Sequence, residues 1–94
     1  MHPMKDAEIE QALHETPEWS LVGDAIQRTV KFDSFLKALA YVSRVATEAE
    51  RVQHHPDILI RYNKVTLSLS THDAGGITGK DFSFARTCDA LVGA

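Results

Sequence analysis

The sequence predicts an α+β fold: a single four-stranded antiparallel sheet with three helices packed on one face, in the order α-β-β-α-β-β-α, as one domain over residues 1–94. Three observations predict it. Two stretches, from Trp19 to Phe32 and from Ile58 to Ser70, alternate apolar and polar side chains with the period of a strand and turn back on themselves midway. Three others, at the start, middle and end of the chain, space their apolar residues three and four apart, as amphipathic helices do. The connection inside each strand pair is too short for a crossover, so both pairs are antiparallel and leave one apolar sheet face for the helices to cover.

The first helix is read over Lys5 to Glu15, where Ile9, Ala12 and Leu13 stand at helical spacing among charges and Pro17 prevents continuation. Trp19 is a core residue that opens a short apolar run to Val22. Gly23-Asp24 then supplies a two-residue turn, glycine providing the positive φ of its first position. Ile26, Arg28, Val30 and Phe32 share one face of the returning strand, and only Arg28 breaks the apolar pattern. Asp33 or Ser34 caps the long central helix, whose apolar stripe is read as Phe35, Leu36, Leu39, Val42, Ala46, Ala49 and Val52, with small residues such as Ala38 letting it approach the sheet. Pro56 biases His55 away from helical backbone, which predicts a helix end at or just before His55, with His54 in the last turn.

Ile58, Ile60 and Tyr62 then alternate with Leu59 and Arg61, and Val65, Leu67 and Leu69 with Thr66, Ser68 and Ser70, with Asn63-Lys64 as the expected turn and Tyr62 as a packing residue. That register sets Tyr62 opposite Val65 and carries His72 back to face His55. A glycine-containing loop from Asp73 to Gly79 follows. Thr78 and Asp81 form a capping-box pattern that opens a last helix, with Phe84, Ala85, Cys88, Leu91 and Val92 on its buried side. Gly79-Lys80 after a strand evokes a phosphate loop, but Ala74 and Asp81 stand where that motif needs glycine and a hydroxyl residue.

Composition narrows the function. With 94 residues, 44% of them hydrophobic, and a formal charge of −3, the chain has an ordinary globular balance and no basic stripe for nucleic acid. No apolar run reaches the length of a membrane span, and the N-terminus lacks a signal-peptide core, so the expected location is cytoplasmic. Cys88, the only cysteine, can form no internal disulfide and reads as a small core residue. A chain this short, with open sheet edges, is expected to associate with further copies of itself.

The chemistry-bearing stretch is Glu50 to Pro56, E-R-V-Q-H-H-P, with Thr71-His72-Asp73. Glu50 precedes His54 by one helical turn, which would let its carboxylate orient the imidazole. Histidines near neutral pH can serve as either acid or base. A metal site built from His54, His55, His72 and Asp73 is disfavoured, because adjacent residues in an extended corner point in different directions.

From Trp19 to Leu91 the chain resembles the pterin-4a-carbinolamine dehydratases, also called 4a-hydroxytetrahydrobiopterin dehydratases and, in animals, dimerisation cofactors of a homeodomain transcription factor. The likeness is densest over E-x-x-x-H-H-P, Y-N-K-V, L-S-T-H and the Asp nine residues after His72. The resemblance implies metal-free and cofactor-free removal of water from a 4a-hydroxytetrahydropterin to give a quinonoid dihydropterin. It makes His54 and His72 the acid/base pair, and it gives His55 a place in holding the pterin or its hydroxyl group. Glu50 and Asp81, with Thr71 and Pro56 beside the histidines, become binding or orienting residues. It also implies a homodimer or homotetramer, and a functional link to an aromatic amino-acid hydroxylase. The alternative it carries is an interaction module without essential catalysis. Ile58, Ala74 and Lys80 depart from the family's usual Trp, Cys and Arg, which bears on how the pterin is held.

Overall fold

The computed structural model describes residues 2–94. Its elements are α1 (Asp6–Glu15), β1 (Ser20–Val22), β2 (Ala25–Lys31), α2 (Phe35–Val52), β3 (Asp57–Arg61), β4 (Lys64–Leu69), a 3-10 turn at His72–Ala74 and α3 (Gly79–Ala90). The four strands form one antiparallel sheet in the order β1-β2-β4-β3, with the helices on one face, as the sequence predicts. No helix among the described residues is long and apolar enough to cross a membrane.

The core fills the space between sheet and helices. Ile26 and Val30 of β2 and Val65, Leu67 and Leu69 of β4 point into it, against Ala38, Tyr41, Val45 and Ala49 of α2 and Phe82, Phe84, Ala85 and Cys88 of α3. The opposite sheet face is polar. There Gln27 hydrogen-bonds Ser68 and Thr29 hydrogen-bonds Thr66 across the β2–β4 pairing, so that face is at home in water. Arg28, the break in the pattern of β2, is explained by Asp89 on α3. Its Nη1 donates to Asp89 Oδ1 at 2.5 Å, and Trp19 Nε1 donates to the same oxygen at 2.9 Å, tying the start of the first hairpin and the middle of β2 to the last helix. Cys88 is fully buried, and desolvation, reinforced by the nearby Asp89 charge, pushes its thiol up to about 12.

The first hairpin forms as expected: Val22 pairs with Ala25 around Gly23-Asp24, and Gly23 has φ +59°. The second differs from expectation. Arg61 pairs with Lys64, so the turn is Tyr62-Asn63, and the register moves by two residues from the one the Asn63-Lys64 turn would give. The cause lies on the neighbouring strand. Asn63 pairs with the end of β2 on both sides, its carbonyl accepting from Phe32 N–H and its side-chain amide donating to Phe32 C=O, each at 2.8 Å. Holding Asn63 there forces Tyr62 into the left-handed region, at φ +53°, and leaves it 71% exposed rather than packed. A shift of two keeps every side chain on its face, which is why the inward residues are still those the alternation picks out.

The stripe on α2 is also displaced. Ser34 is the cap, accepting from Lys37 N–H at 3.2 Å, but the residues that meet the sheet are Ala38, Tyr41, Val45 and Ala49. Of the expected stripe only Ala49 is buried, while Leu36 is 76% exposed and Phe35, Leu39 and Val52 also face outward. The helix carries apolar residues on two faces, and the one with the small side chains lies against the sheet because it permits the closer approach.

Tyr62 occupies a position where a bulky residue costs about 1 kcal/mol and makes little contact in return. Tyr62→Gly is therefore expected to raise the thermal midpoint by a few degrees, at roughly 4–8 °C per kcal/mol for a domain of this size. Differential scanning calorimetry checks it; a lowered midpoint would mean that the tyrosine is held by contacts in an assembly.

Candidate active site

The end of α2, the start of β3, the loop after β4 and the start of α3 converge at one end of the sheet. Two turns create the convergence. Gln53 closes α2 in the left-handed conformation, at φ +55°, and His54 N–H bonds back to Ala49 C=O at 3.1 Å. At the far end of β4, Thr71 and Gly76 pair with each other, Thr71 N–H to Gly76 C=O at 2.9 Å, and pinch off the short loop that carries His72. The N-terminal arm braces this loop: Met4 N–H donates to Ile77 C=O at 2.7 Å, and Pro3 lies so near Gly76 that a Cβ added there would sit 3.1 Å from its ring.

His54, His55 and His72 all line one cleft, with Gln53, Thr71 and Lys80. The three histidines predicted to cluster do so, though by the helix end and the loop rather than by facing positions in the hairpin. With the observed register, His55 and His72 both lie outside the β3–β4 pairing.

The partners of the histidines differ from those the spacing suggested. The left-handed residue at Gln53 swings His54 off the helical path, and Glu50 consequently meets His55 instead, Oε2 against Nε2. That pair is exposed and contributes little to stability. His54 turns inward, its side chain 14% exposed, and its Nε2 lies 2.6 Å from Oδ1 of Asp81. The ring edge of His54 also packs against Phe84, with centroids 6.4 Å apart and planes at 82°. His72 sits on the exposed loop and makes no comparable link to a carboxylate among the described residues.

Asp81 is completely buried, and every contact it makes is a donor's. Its Oδ2 accepts from Thr78 N–H at 2.9 Å, closing the capping box of α3, and from the Thr71 hydroxyl at 2.9 Å. Because Thr71 spends its proton on Asp81, the Thr78 hydroxyl 2.8 Å away must donate to Thr71, and Thr78 Oγ1 in turn accepts from Lys80 N–H at 3.2 Å. The chain of donors is fully directed. It ends at Oδ1, which requires a hydrogen on His54 Nε2. A neutral His54 is thus held as the Nε2–H tautomer, and Nδ1 is the atom left to take up a proton. Asp81 combines the two alternatives its sequence context offers, helix cap and histidine orienter.

Thr71 lines the cleft and donates to Asp81 beneath it, while Pro56 stands between His55 and β3 without lining the cleft. Sequence reasoning missed the contact of Phe84 with His54. Its place on the buried side of α3, one turn after Asp81, was the only available signal. No group of three or more His, Cys, Asp or Glu among the described residues is arranged to hold a metal ion.

Removing the Asp81 carboxylate would orphan two buried donors and the His54 proton. Asp81→Ala is expected to cost about 3 kcal/mol, the order seen when one partner of a buried pair is removed. Urea denaturation measures this, and nitrogen-15 NMR of the wild-type imidazole should find the neutral-state proton of His54 on Nε2. A proton on Nδ1 would contradict the hydrogen-bond directions given above.

Comparison with known proteins agrees with this architecture. Residues 2–91 match the family model described as pterin 4 alpha carbinolamine dehydratase. A Nocardia farcinica relative, provisionally named a pterin-4-alpha-carbinolamine dehydratase, is 52% identical, the match covering 95% of this chain and 94% of that one. A Picosynechococcus relative of the same name is 51% identical, with 94% and 96% covered. Among solved structures, a Brucella melitensis protein described as a transcriptional coactivator/pterin dehydratase superposes with a TM-score of 0.92 at 32% identity, covering 97% of this chain and 99% of that one. A pterin dehydratase-like protein described as a RuBisCO assembly factor of the alpha-carboxysome shares the fold, with a TM-score of 0.66 at 22% identity. On sequence and fold together, the chain belongs to the pterin 4 alpha carbinolamine dehydratase family.

Proposed function

We propose that the protein dehydrates a 4a-hydroxytetrahydropterin to the quinonoid dihydropterin by histidine acid/base catalysis. The observation that carries this reading is the directed chain from Thr78 through Thr71 and Asp81 to His54, at the edge of a cleft shared with His55 and His72. The reaction breaks the C4a–O bond and removes the proton on N5, forming the C4a=N5 double bond and releasing water. One group must give a proton to the departing oxygen and another must accept one from nitrogen.

His54, with Nε2 committed to Asp81, takes the nitrogen-bound proton at Nδ1. The imidazolium that forms lies against a buried carboxylate, which lowers the barrier to making that charge. His72 protonates the leaving hydroxyl. His55 binds, its Nε2 paired with Glu50 and its ring at the cleft, and so holds the substrate rather than carrying a reacting proton.

Glu50 and Thr71 are positioning residues in this scheme, acting through His55 and Asp81. The outward apolar residues of α2, Leu36 and Leu39 among them, and the open edges at β1 and β3 support a homodimer or homotetramer.

Activity should persist in a chelator and exceed the buffer rate with freshly generated substrate. His54→Gln and His72→Gln should each lower kcat at least about 100-fold with native circular dichroism, since acid–base groups contribute roughly 100 to 10,000-fold. His55→Gln should raise KM more than it lowers kcat. Asp81→Asn is the sharper variant: its amide cannot accept from His54 and also from Thr71 and Thr78, so it favours the wrong tautomer, and the loss should match that of His54→Gln. Near-wild-type rates in the His54 and His72 variants would remove them from the chemistry, and zinc-restored activity after chelation would favour a metal mechanism. Separately, sedimentation at micromolar concentration should show an oligomer, and Leu36→Glu with Leu39→Glu should reduce its size; a wild-type monomer would refute assembly.

A further inference from the structure

The register of the sheet sets three cations side by side. Lys31 of β2 pairs with Lys64 of β4, and Lys64 pairs in turn with Arg61 of β3, so the three form one row across the strands. Their neighbours Val30 and Val65 point into the core, which puts the row on the face that no helix covers, and all three side chains are exposed. Opposed side chains stand about 5 Å apart, so the three are rooted within about 10 Å of one another. Like charges directly opposite destabilise a sheet, and none of the three has a carboxylate partner among the described residues. Asp33, just past Lys31, is taken by Lys37, and Asp57, on the same face, stands beside Ser68 at the far end of β3.

The residue after Arg61 is Tyr62, held at φ +53° with 71% of its surface exposed, and it lines an open recess with Arg61, Asn63 and Lys64. Charge repulsion and an unfavourable backbone conformation thus fall on adjacent residues, and the folded chain by itself gains no contact from either. Departures from local stability that gather in one place mark a surface shaped by binding. The net charge of −3 conceals it. α1 carries Asp6, Glu8, Glu10 and Glu15 with no Lys or Arg, while positions 31, 61 and 64 are too scattered in the chain to read as a basic stretch.

We propose that this end of the uncovered sheet face binds single-stranded nucleic acid, with Lys31, Lys64 and Arg61 meeting phosphates and Tyr62 stacking on a base. A polyanion with aromatic faces accounts for both features, whereas an acidic peptide would use the cations and leave the tyrosine without a role. The polar pairs further along the same face, Thr29 with Thr66 and Gln27 with Ser68, offer hydroxyls and an amide to sugars and base edges. The histidine cleft lies at the other end of the sheet, so the inference is independent of the dehydratase reading.

The test is fluorescence anisotropy of a labelled oligothymidylate of about 12 nucleotides, titrated with the protein in about 20 to about 200 mM salt. With three phosphate contacts on a single strand, affinity should fall about 100-fold across that range. Lys31→Gln, Arg61→Gln and Lys64→Gln each remove one contact and should reduce the fall to about 25-fold. These changes relieve repulsion and should leave the fold intact, which circular dichroism checks. Tyr62→Gly, which suits the backbone there, should weaken binding about fivefold or more with the salt dependence unchanged, and Tyr62→Phe should retain it. No binding in about 20 mM salt, or a salt dependence that the three Gln variants leave unaltered, would overturn the proposal. So would polyglutamate competing as well as the oligonucleotide while Tyr62→Gly has no effect, which would make the row a surface for acidic protein.

Discussion

A single buried carboxylate sets the geometry of the site. Asp81 has no exposure to solvent, and a charge there is tolerable only if donors surround it. They come from three places in the chain: Thr78 at the capping position of α3, Thr71 two residues beyond β4 and His54 two residues beyond α2. Helix, strand and histidine are therefore fixed relative to one another by the same group. Shifting any one would leave an unpaired polar atom in a place water does not reach, so the site gains rigidity from the cost of desolvation rather than from many contacts.

The two carboxylate–histidine pairs show how burial changes the meaning of one chemical motif. Glu50 and His55 meet at the surface, where water competes for both, while Asp81 and His54 meet inside. The first pair can adjust when something binds beside it; the second holds one tautomer and one orientation. At the other end of α3, Asp89 gathers Arg28 and Trp19. The helix bearing the Asp81 network is thus anchored at both ends.

Much of the fold was legible because its signals are local. Gly23-Asp24 marks its turn by the one residue type suited to positive φ, and Thr78 with Asp81 marks the start of α3 by mutual hydrogen bonds three residues apart. The parts that were not legible depend on partners distant in sequence. Asn63 is held by Phe32 of another strand, and nothing near Tyr62 announces that a tyrosine will take a glycine-like conformation. On α2 the larger apolar residues favoured one stripe, whereas close packing on the sheet favoured the face with Ala38 and Ala49. The histidine set could be read from its motif, but the exchange of partners at Glu50 could not, because it follows from the left-handed residue at Gln53, where the sequence offers no glycine or asparagine. The exchange altered which carboxylate orients His54, Asp81 of α3 standing where Glu50 was expected.

The bracing of the His72 loop by Met4 and Pro3 bears on the order in which the molecule assembles. Strand pairs β1–β2 and β3–β4 close over short loops, and α2 forms from neighbours along the chain, so these can organise early. The Met4–Ile77 bond joins segments near opposite ends of the sequence and gains only a single hydrogen bond for closing a long loop. A contact of that kind is expected to form late in folding and to open early. The loop that places His72 is accordingly the segment whose order depends most on the arrival of the N-terminal arm. A nascent chain can hold an assembled sheet and a capped α3 while its third histidine still lacks a fixed position.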